Sequence, residues 1–551
     1  MRGAFAVGLL TLLAVFPAAA WEHVIPGGEA NAVLLADDGD VVTAGLLGDA
    51  SVELWELAVV RLSGSHGSER WRYVISSEGP LYQRGVYLAP APGGTFVVAA
   101  HQRERYQEFT GTVAKLSGDG AELWRFVPAQ FIGFYAVAVD PAGDVIAAGA
   151  ISVADPADHD LVVVKLSGDT GTELWRRVIP GVADDVFEHA NAVAVDSVGD
   201  VFAGGEFFAR AEFGWPDFFV VKLASASGAE VWRGTVPSVS GHGGQAYDLA
   251  IDANDDLVAA GSAVPGGGWC DFVVAKFRGA DGTRLWQSAI DEGGNCDDAQ
   301  AIAIDTAGDV IATGDIGNKF STVKFVGATG ALLWRYDVLH LSECSGGGCA
   351  SGRAIRADSS GNALVAGNAR GVTTSEMTSV FLDRDSGEPI WLQRLDFAQC
   401  DDLGFSADIN VEGDVAIGGL AYSQTGGVCT WPQGGRFSVV KLFGDVDGDA
   451  IANDLDNCRL ESNPGQIDSN RDGYGNACDA DYNDDGFVGL VDFLRLRKGF
   501  GATTDSPSWD PAVDSNADGV IGSWDFARLR ASFGALPGPS ALSCTGIVPC
   551  P

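Results

Sequence analysis

AVAVDPAGDVIAAG (136–149), followed by LVVVKLSGDTGTELWRRVIPG (161–181), is the stretch whose repetition organises the chain. It returns as AVAVDSVGDVFAGG (192–205) with FFVVKLASASGAEVWRGTV (218–236). It returns again as AIAIDTAGDVIATG (301–314) with STVKFVGATGALLWRYDV (321–338), and diverged copies surround these three. Each copy reads as two apolar runs joined at a Gly-Asp turn, which is a hairpin signal. A variable loop follows, then a β-rich run ending in Lys-Leu, a Gly-rich turn and a Leu-Trp strand. Four strands in roughly 50 residues is the spacing of propeller blades.

Two markers give the number of blades. The turn position falls at Asp40, Thr95, Asp144, Asp200, Asp256, Asp309, Asn362 and Asp414. The third strand recurs from AVVRL (58–62) to FSVVKL (437–442), again eight times. The Trp strand follows only seven of these, at Trp71, Trp124, Trp175, Trp232, Trp286, Trp334 and Trp391. The missing copy lies at the other end, where Trp21-Glu-His-Val-Ile-Pro-Gly matches Trp175-Arg-Arg-Val-Ile-Pro-Gly. The expectation is a mainly β chain: an eight-bladed propeller over 21–444, closed by its mature N-terminal strand. Such closure removes the open edge that a broken ring would leave. A large ring at one place in every repeat fits packing between blades better than ligand contact. The repeated Asp residues read as turn formers rather than metal ligands.

The ends and the composition frame this core. Arg2, an apolar run over 4–16 and Ala18, Ala19 and Ala20 have the layout of a secretory leader cleaved before Trp21. The run is short for a membrane anchor, and no later segment is long and apolar enough to span a bilayer. With 74 glycines and 46% hydrophobic residues the chain is turn-rich and globular. A net charge of −39 speaks against nucleic-acid partners and anionic membranes, and suits bound cations. Ten cysteines in an exported chain suggest disulfides, since no CxxC pair is present and the seven histidines are scattered. Their order pairs Cys270 with Cys296, Cys344 with Cys349, Cys400 with Cys429, Cys458 with Cys478 and Cys544 with Cys550. Order alone leaves the connectivity open.

The segment Gly-Asp-Thr-Gly-Thr-Glu-Leu-Trp (168–175) resembles the tryptophan-containing repeat of pyrroloquinoline-quinone-dependent dehydrogenases, which are eight-bladed propellers. That resemblance implies a quinone, a calcium ion, a catalytic aspartate and a disulfide between adjacent cysteines. The chain has no adjacent cysteines, and none of its residues can be matched to the quinone site. The likeness concerns the fold.

After Leu442 the pattern changes to acidic loops with oxygen-bearing side chains at alternate positions. The first holds Asp445, Asp447, Asp449, the Ile451 carbonyl, Asn453 and Asp456. The second holds Asp468, Asn470, Asp472, the Tyr474 carbonyl and Asp479. The third holds Asp481, Asn483, Asp485, the Phe487 carbonyl and Asp492. The fourth holds Asp514, Asn516, Asp518, the Val520 carbonyl and Asp525. Alternate residues of a tight loop turn their oxygens inward around a hard cation that takes six to eight of them, and glycine at position 6 allows the sharp turn. About four Ca²⁺ ions are expected on this register. Magnesium, which keeps its waters, fits less well, and a flexible acidic linker would not repeat the spacing four times.

Asp456-Asn457-Cys458, Asn463-Pro464, Gln466 and Cys478-Asp479 make residues 445–479 resemble thrombospondin type 3 repeats, which implies a Cys458–Cys478 bond. Ala450 replaces the usual glycine there. The duplicated halves from Asp481 to Gly501 and from Asp514 to Gly534 make residues 480–534 resemble a type I dockerin. Each loop enters a helix, position 12 is Asp rather than Glu, and Val488 and Ile521 are placed to pack the loops together. The resemblance implies a cohesin-like partner, met through loop positions 10 and 11: Leu490 and Val491, Ser523 and Trp524. The frequent Ser-Thr pair is absent, and a calcium-stabilised cap or spacer is the alternative. Arg495, Arg497, Arg528 and Arg530 read as a solvated helix face. Residues 535–551 form a Pro-rich tail.

No HExxH, G-x-S-x-G or P-loop motif is present, and no His cluster accompanies a nucleophilic cysteine. The reading is a secreted, calcium-binding, non-catalytic scaffold whose propeller presents a ligand surface and whose tail docks to a cohesin-like module or the cell surface. The alternative is a secreted enzyme of polysaccharide breakdown, a glycoside hydrolase or a quinone-dependent dehydrogenase. Convergent carboxylates in the funnel would favour that alternative.

Overall fold

A computed structural model describes residues 19–545 except 50–53, 77–80, 105–108, 131, 153–158, 182–186, 209–214, 240–242, 267, 294, 340–349, 372–373, 396–399, 412, 423, 426–427, 430–434, 443, 445–450, 452–455, 459–460, 539, 541 and 543–544. Two compact units make up the chain, Ala20–Val411 with Val415–Lys441, and a second that contains Leu442–Pro551.

Eight four-stranded antiparallel sheets form the first unit. In chain order their innermost strands are Gly28–Leu35, Leu81–Ala91, Ile132–Val139, His189–Val195, Gln245–Ile251, Asp298–Ile304, Ser351–Ala357 and Asp402–Ile409. Each of these strands packs beside the next, and the eighth packs beside the first, so the ring is closed. The eighth sheet takes its outermost strand, Ala19–Pro26, from the N-terminus, as the orphan Trp21 repeat predicts. The core lies in slices between neighbouring blades. Phe202, Phe218 and Trp232 of blade four pack with Leu257, Val273 and Phe277 of blade five, and equivalent clusters join other neighbours around the ring.

The repeated tryptophans are the joints of this ring. Trp124 Nε1 donates to the Gly168 carbonyl at 3.0 Å, Trp232 to Gly279 at 2.9 Å and Trp286 to Gly327 at 3.0 Å, each reaching the following blade. Trp21 closes the circle by donating to Gly64 of blade one at 2.8 Å. Beneath each ring lies a glycine at positive φ. A Cβ on Gly171 would sit 2.5 Å from Trp124, and one on Gly67 would sit 2.6 Å from Trp21. The Gly-rich turn thus serves both the left-handed backbone and the close approach of the indole.

The turn aspartates have an equally local purpose. Asp140 accepts the Ala142 and Asp144 amides at 2.9 Å and faces Lys165 Nζ at 2.7 Å. Asp196 with Lys222, Asp252 with Lys276 and Asp305 with Lys324 repeat the pair at 2.6–2.8 Å. The Lys of the third strand therefore holds the hairpin of its own blade, and Lys276 also donates to Gly327 of the next at 3.0 Å. The expected turn aspartates stand four residues on: Asp144, Asp200, Asp256 and Asp309 accept the amides of Gly168, Ser225, Gly279 and Gly327 at 2.8–3.1 Å, so both sets have local, structural partners.

One regularity was not expected. Seven of the innermost strands carry a register shift of one residue at the same place, which re-aims Asn31, Tyr135, Asn191, Tyr247, Gln300, Arg353 and Phe405.

Cys270 and Cys296 are bonded, as are Cys458 and Cys478. Cys400 is also disulfide-bonded. Cys344, Cys349, Cys544 and Cys550, the side chain of Cys429 and residues 1–18 of the expected leader lie outside the described residues. No described helix is long and apolar enough to cross a membrane.

Candidate calcium site

Of the first acidic loop, Asp445, Asp447, Asp449 and Asn453 lie outside the described residues. Asp456 is buried and accepts the Cys458 amide at 2.8 Å and Gln466 Nε2 at 2.7 Å. Asn457 Oδ1 accepts Asn463 Nδ2 at 2.7 Å. Here Asn457, Asn463, Gln466 and the Cys458–Cys478 bond make one polar knot.

The other three loops share one conformation. The position 1 carboxylate accepts the amide of the position 6 glycine: Asp468 from Gly473 at 2.9 Å, Asp481 from Gly486 at 2.6 Å and Asp514 from Gly519 at 2.9 Å. The position 5 carboxylate accepts the position 7 amide: Asp472 from Tyr474, Asp485 from Phe487 and Asp518 from Val520, at 2.9–3.1 Å. Position 4 is left-handed in all three, at Arg471, Asp484 and Ala517, and so is the glycine at position 6. Three unrelated acidic turns would not converge on this pattern.

Position 12 ties two of the loops to helices. Helix α1 (Leu490–Gly499) and helix α2 (Ser523–Ser532) begin after glycines whose amides donate to Asp492 and Asp525 at 2.7 and 2.6 Å. The same carboxylates accept the Asn483 amide at 3.1 Å and the Ser515 amide at 2.8 Å. A carboxylate in the first turn also meets the positive end of the helix dipole. Val488 and Ile521 meet in one core with Ala480, Tyr482, Leu496, Val513 and Leu529. Arg495 pairs with Asp510 at 2.7 Å and Arg528 with Glu461 at 2.5 Å. Only Arg497 and Arg530 of the four arginines stand on an open helix face.

The electrostatics of the loops test whether a cation fits. Burial, followed by the charge of Asp468 and Asp484, pushes the Asp472 carboxyl up to about 6. Burial, then Asp472, Asp481 and Asp484, pushes Asp479 up to about 8. Asp492 and Asp514 are raised in the same direction, again chiefly by burial. Asn483 Oδ1, at position 3 of the third loop, is buried without a hydrogen-bond partner. Crowded carboxylates and an unused amide oxygen match the donor set of a hard cation. Among the described residues, no three His, Cys, Asp or Glu side chains converge closely enough to hold a metal by themselves. A cation held in these loops would rely on Asn and carbonyl oxygens as well.

The expected docking positions are exposed. Leu490 is 65% and Trp524 49% accessible, and Val491 and Leu494 are also open to solvent. Ser523, the fourth, begins α2 and is exposed as well.

A family model, thrombospondin type 3 repeat, matches residues 444–466. No curated protein matches the sequence. Among solved structures, BamB from Moraxella catarrhalis is 15% identical, with a TM-score of 0.44 over 78% of this chain and 100% of that one. The quinohemoprotein alcohol dehydrogenase ADHIIG from Pseudomonas putida HK5 is 12% identical, with a TM-score of 0.47 over 78% and 77%. A europium-containing methanol dehydrogenase is 9% identical, with a TM-score of 0.45 over 77% and 93%. These likenesses are of fold. The chain is an eight-bladed propeller with a thrombospondin type 3, calcium-binding type of repeat near its C-terminus.

Proposed function

We propose that the chain is an extracellular, non-catalytic binding protein, with a ligand-presenting propeller and a calcium-ordered tail that docks to a partner. The observation that carries the reading is the shared hydrogen-bond pattern of the three tail loops, two of which open helices with exposed apolar residues. Bonded cysteines and the type 3 repeat suit an oxidising, extracellular setting. Asp468, Asn470, Asp472, the Tyr474 carbonyl and Asp479 would hold one ion. Asp481, Asn483, Asp485, the Phe487 carbonyl and Asp492 would hold a second, and Asp514, Asn516, Asp518, the Val520 carbonyl and Asp525 a third. The first loop would supply a fourth. Bound Ca²⁺ supplies positive charge that offsets carboxylate repulsion. The docking partner of this reading is a cohesin-like module, met by Leu490, Val491, Ser523 and Trp524.

The test uses the full chain. Calcium titrated into chelator-stripped protein should bind about four ions, and a cohesin-like module should be retained only with calcium. Retention that persists in chelator, or is unchanged in Trp524→Ala, sinks the docking half.

One observation favours the enzymatic alternative. Asp298 and Asp315 oppose each other across two strands of blade six. Hydrolysis of soluble polysaccharide that vanishes in Asp298→Asn would establish it.

A further inference from the structure

At the end of the propeller where the innermost strands begin, each blade pairs the start of its first strand with the end of its second. Blade four places His189 against Glu206, blade five Gln245 against Ser262, blade six Asp298 against Asp315 and blade seven Ser351 against Asn368. The position recurs around the ring, and its chemistry changes from blade to blade.

Blade six is the exceptional one. Residues directly opposite on antiparallel strands share a face, and like charges there repel. Asp315 is 8% exposed, and the Oδ1 atoms of Asp315 and Asp298 are buried without a hydrogen-bond partner, although the carboxyls are also bonded, Asp298 to Gln300 and the Asp315 amide and Asp315 to the Asn318 and Lys319 amides. Beside them the Asp297 carboxylate is satisfied, accepting the Glu292 amide at 2.8 Å and the Gly317 amide at 2.7 Å. Arg353 of blade seven acts electrostatically on Asp298, while its Nε contacts Asn368 Oδ1 at 3.3 Å. Two buried acceptors are thus left over, and a carboxylate can only accept. A proton held between the two acids supplies one donor, and a cationic ligand seated on the pair would supply more.

The walls are aromatic. Tyr247, re-aimed by the bulge of blade five, lies within electrostatic reach of both Asp298 and Glu206. Its hydroxyl accepts Gln245 Nε2 at 2.7 Å. Tyr135 and His189 continue the rim, with ring centroids 5.2 Å apart. Aromatic faces beside two facing carboxyls are the surroundings that an organic cation seeks. Because Asp298 and Asp315 stand side by side on one face, they make a joint acceptor.

We propose that Asp298 and Asp315, walled by Tyr247, form a binding site for a small ligand bearing a protonated amine, of the amino-sugar or polyamine class. The ammonium donates to the carboxyl pair, its charge relieves their repulsion, and its carbon body rests on the tyrosine. The inference rests on the ligand-presenting reading of the propeller and is independent of the tail.

Glucosamine and N-acetylglucosamine differ at the nitrogen, charged in one and neutral in the other. Calorimetry on the full chain at fixed calcium should show glucosamine binding at least tenfold more tightly than its acetylated form. Spermidine in a second titration tells whether the sugar body is needed. Binding of either amine supports the site, and only the tighter one names the source. Asp315→Asn and Asp298→Asn should each weaken the tighter amine by tenfold or more with the melting temperature kept or raised. Tyr247→Phe, which keeps the ring, should leave binding within about threefold, whereas Tyr247→Ala should reduce it further. Equal binding of the two sugars, or unaltered binding in Asp315→Asn, overturns the proposal. So does a calcium count that falls by one in Asp315→Asn, which would make the pair a metal site. Failure here with tail calcium binding intact removes only this proposal; failure of the tail with amine binding intact removes only the docking reading.

Discussion

The propeller and the tail use the same residue, aspartate, in opposite ways. In four propeller blades a buried turn carboxylate meets a lysine of its own blade, as at Asp196 and Lys222, and in blade one Asp40 meets Arg61. At Asp252, burial pushes the carboxyl up, yet Lys276 and the turn amides outweigh it and hold it below its ordinary value. In the tail no lysine takes that part at Asp472 or Asp479, and burial with neighbouring carboxylates drives both upward. A buried acid with a built-in cation is a permanent joint. On the proposed reading, a buried acid without one takes its stabilising charge from the solvent, and the tail answers to ion concentration.

The largest effect should come from stripping calcium. Hydrogen exchange on the full chain with chelator should show the loops and helices of 468–534 losing most of their protection, while blade cores stay protected. Restoring calcium should reverse the change. Protection that is indifferent to calcium would break the contrast outright, because the tail acids would then have no need of an external cation.

The sharper test exchanges one oxygen for nitrogen in each region. Asp196→Asn leaves Lys222 buried with only Asp200 nearby, at 3.3 Å, and should cost roughly 3 kcal/mol in denaturant unfolding. Asp479→Asn, measured without calcium, removes repulsion and should cost nothing or gain on the order of 1 kcal/mol. With calcium present it should weaken ion binding by tenfold or more. If both substitutions destabilise the calcium-free chain alike, the two sets of acids are equivalent and the distinction falls.

How much of this was legible follows from which features repeat. The blade number and the closing strand were readable because Trp21-Glu-His-Val-Ile-Pro-Gly repeats Trp175-Arg-Arg-Val-Ile-Pro-Gly, and period and composition suffice to place a strand. The common conformation of the loops at Asp468, Asp481 and Asp514 was readable because register is a matter of spacing. The lysine partners of Asp140 and Asp196 were not, since a pairing across a hairpin depends on strand register. The funnel residues escaped for a different reason. Ala150, Glu206, Ser262, Asp315 and Asn368 follow the glycine that ends each apolar run, and only their variation within a constant frame marks them. That signal becomes meaningful once the blades are stacked and the position is seen to recur around one mouth.

A smaller effect concerns closure. Trp21→Ala removes the half-buried indole from Gly67 and its bond to Gly64, and should cost about 2–3 kcal/mol. The loss should be the same with and without calcium, because strand pairing and this indole close the ring. A loss that shrinks on adding calcium would link closure to the ions and blur the two regions.

The smallest effect is a pH response carried by a histidine of the propeller. His101 is buried, its Nδ1 lies 3.0 Å from the Phe134 carbonyl, and its ring stacks near Tyr135 at 4.2 Å. Burial, countered in part by that carbonyl and aided by His189, pulls its pKa down to about 4. The folded state therefore keeps the imidazole neutral while the unfolded chain takes up a proton below its ordinary value near 6.5. This contribution is intact above that value and is lost as pH falls toward 4, amounting to about 1 kcal/mol at pH 5.5. Asp315 tilts the other way, since burial with Asp298 and Asp297 raises it to about 7 and the fold holds its proton. Its contribution is full at low pH and fades as pH rises to 7, so the wild-type profile is a sum of opposed slopes. The difference between wild type and His101→Gln isolates the histidine. That difference should grow between pH 7 and pH 5 at saturating calcium, and a flat difference would place the imidazole in contact with solvent.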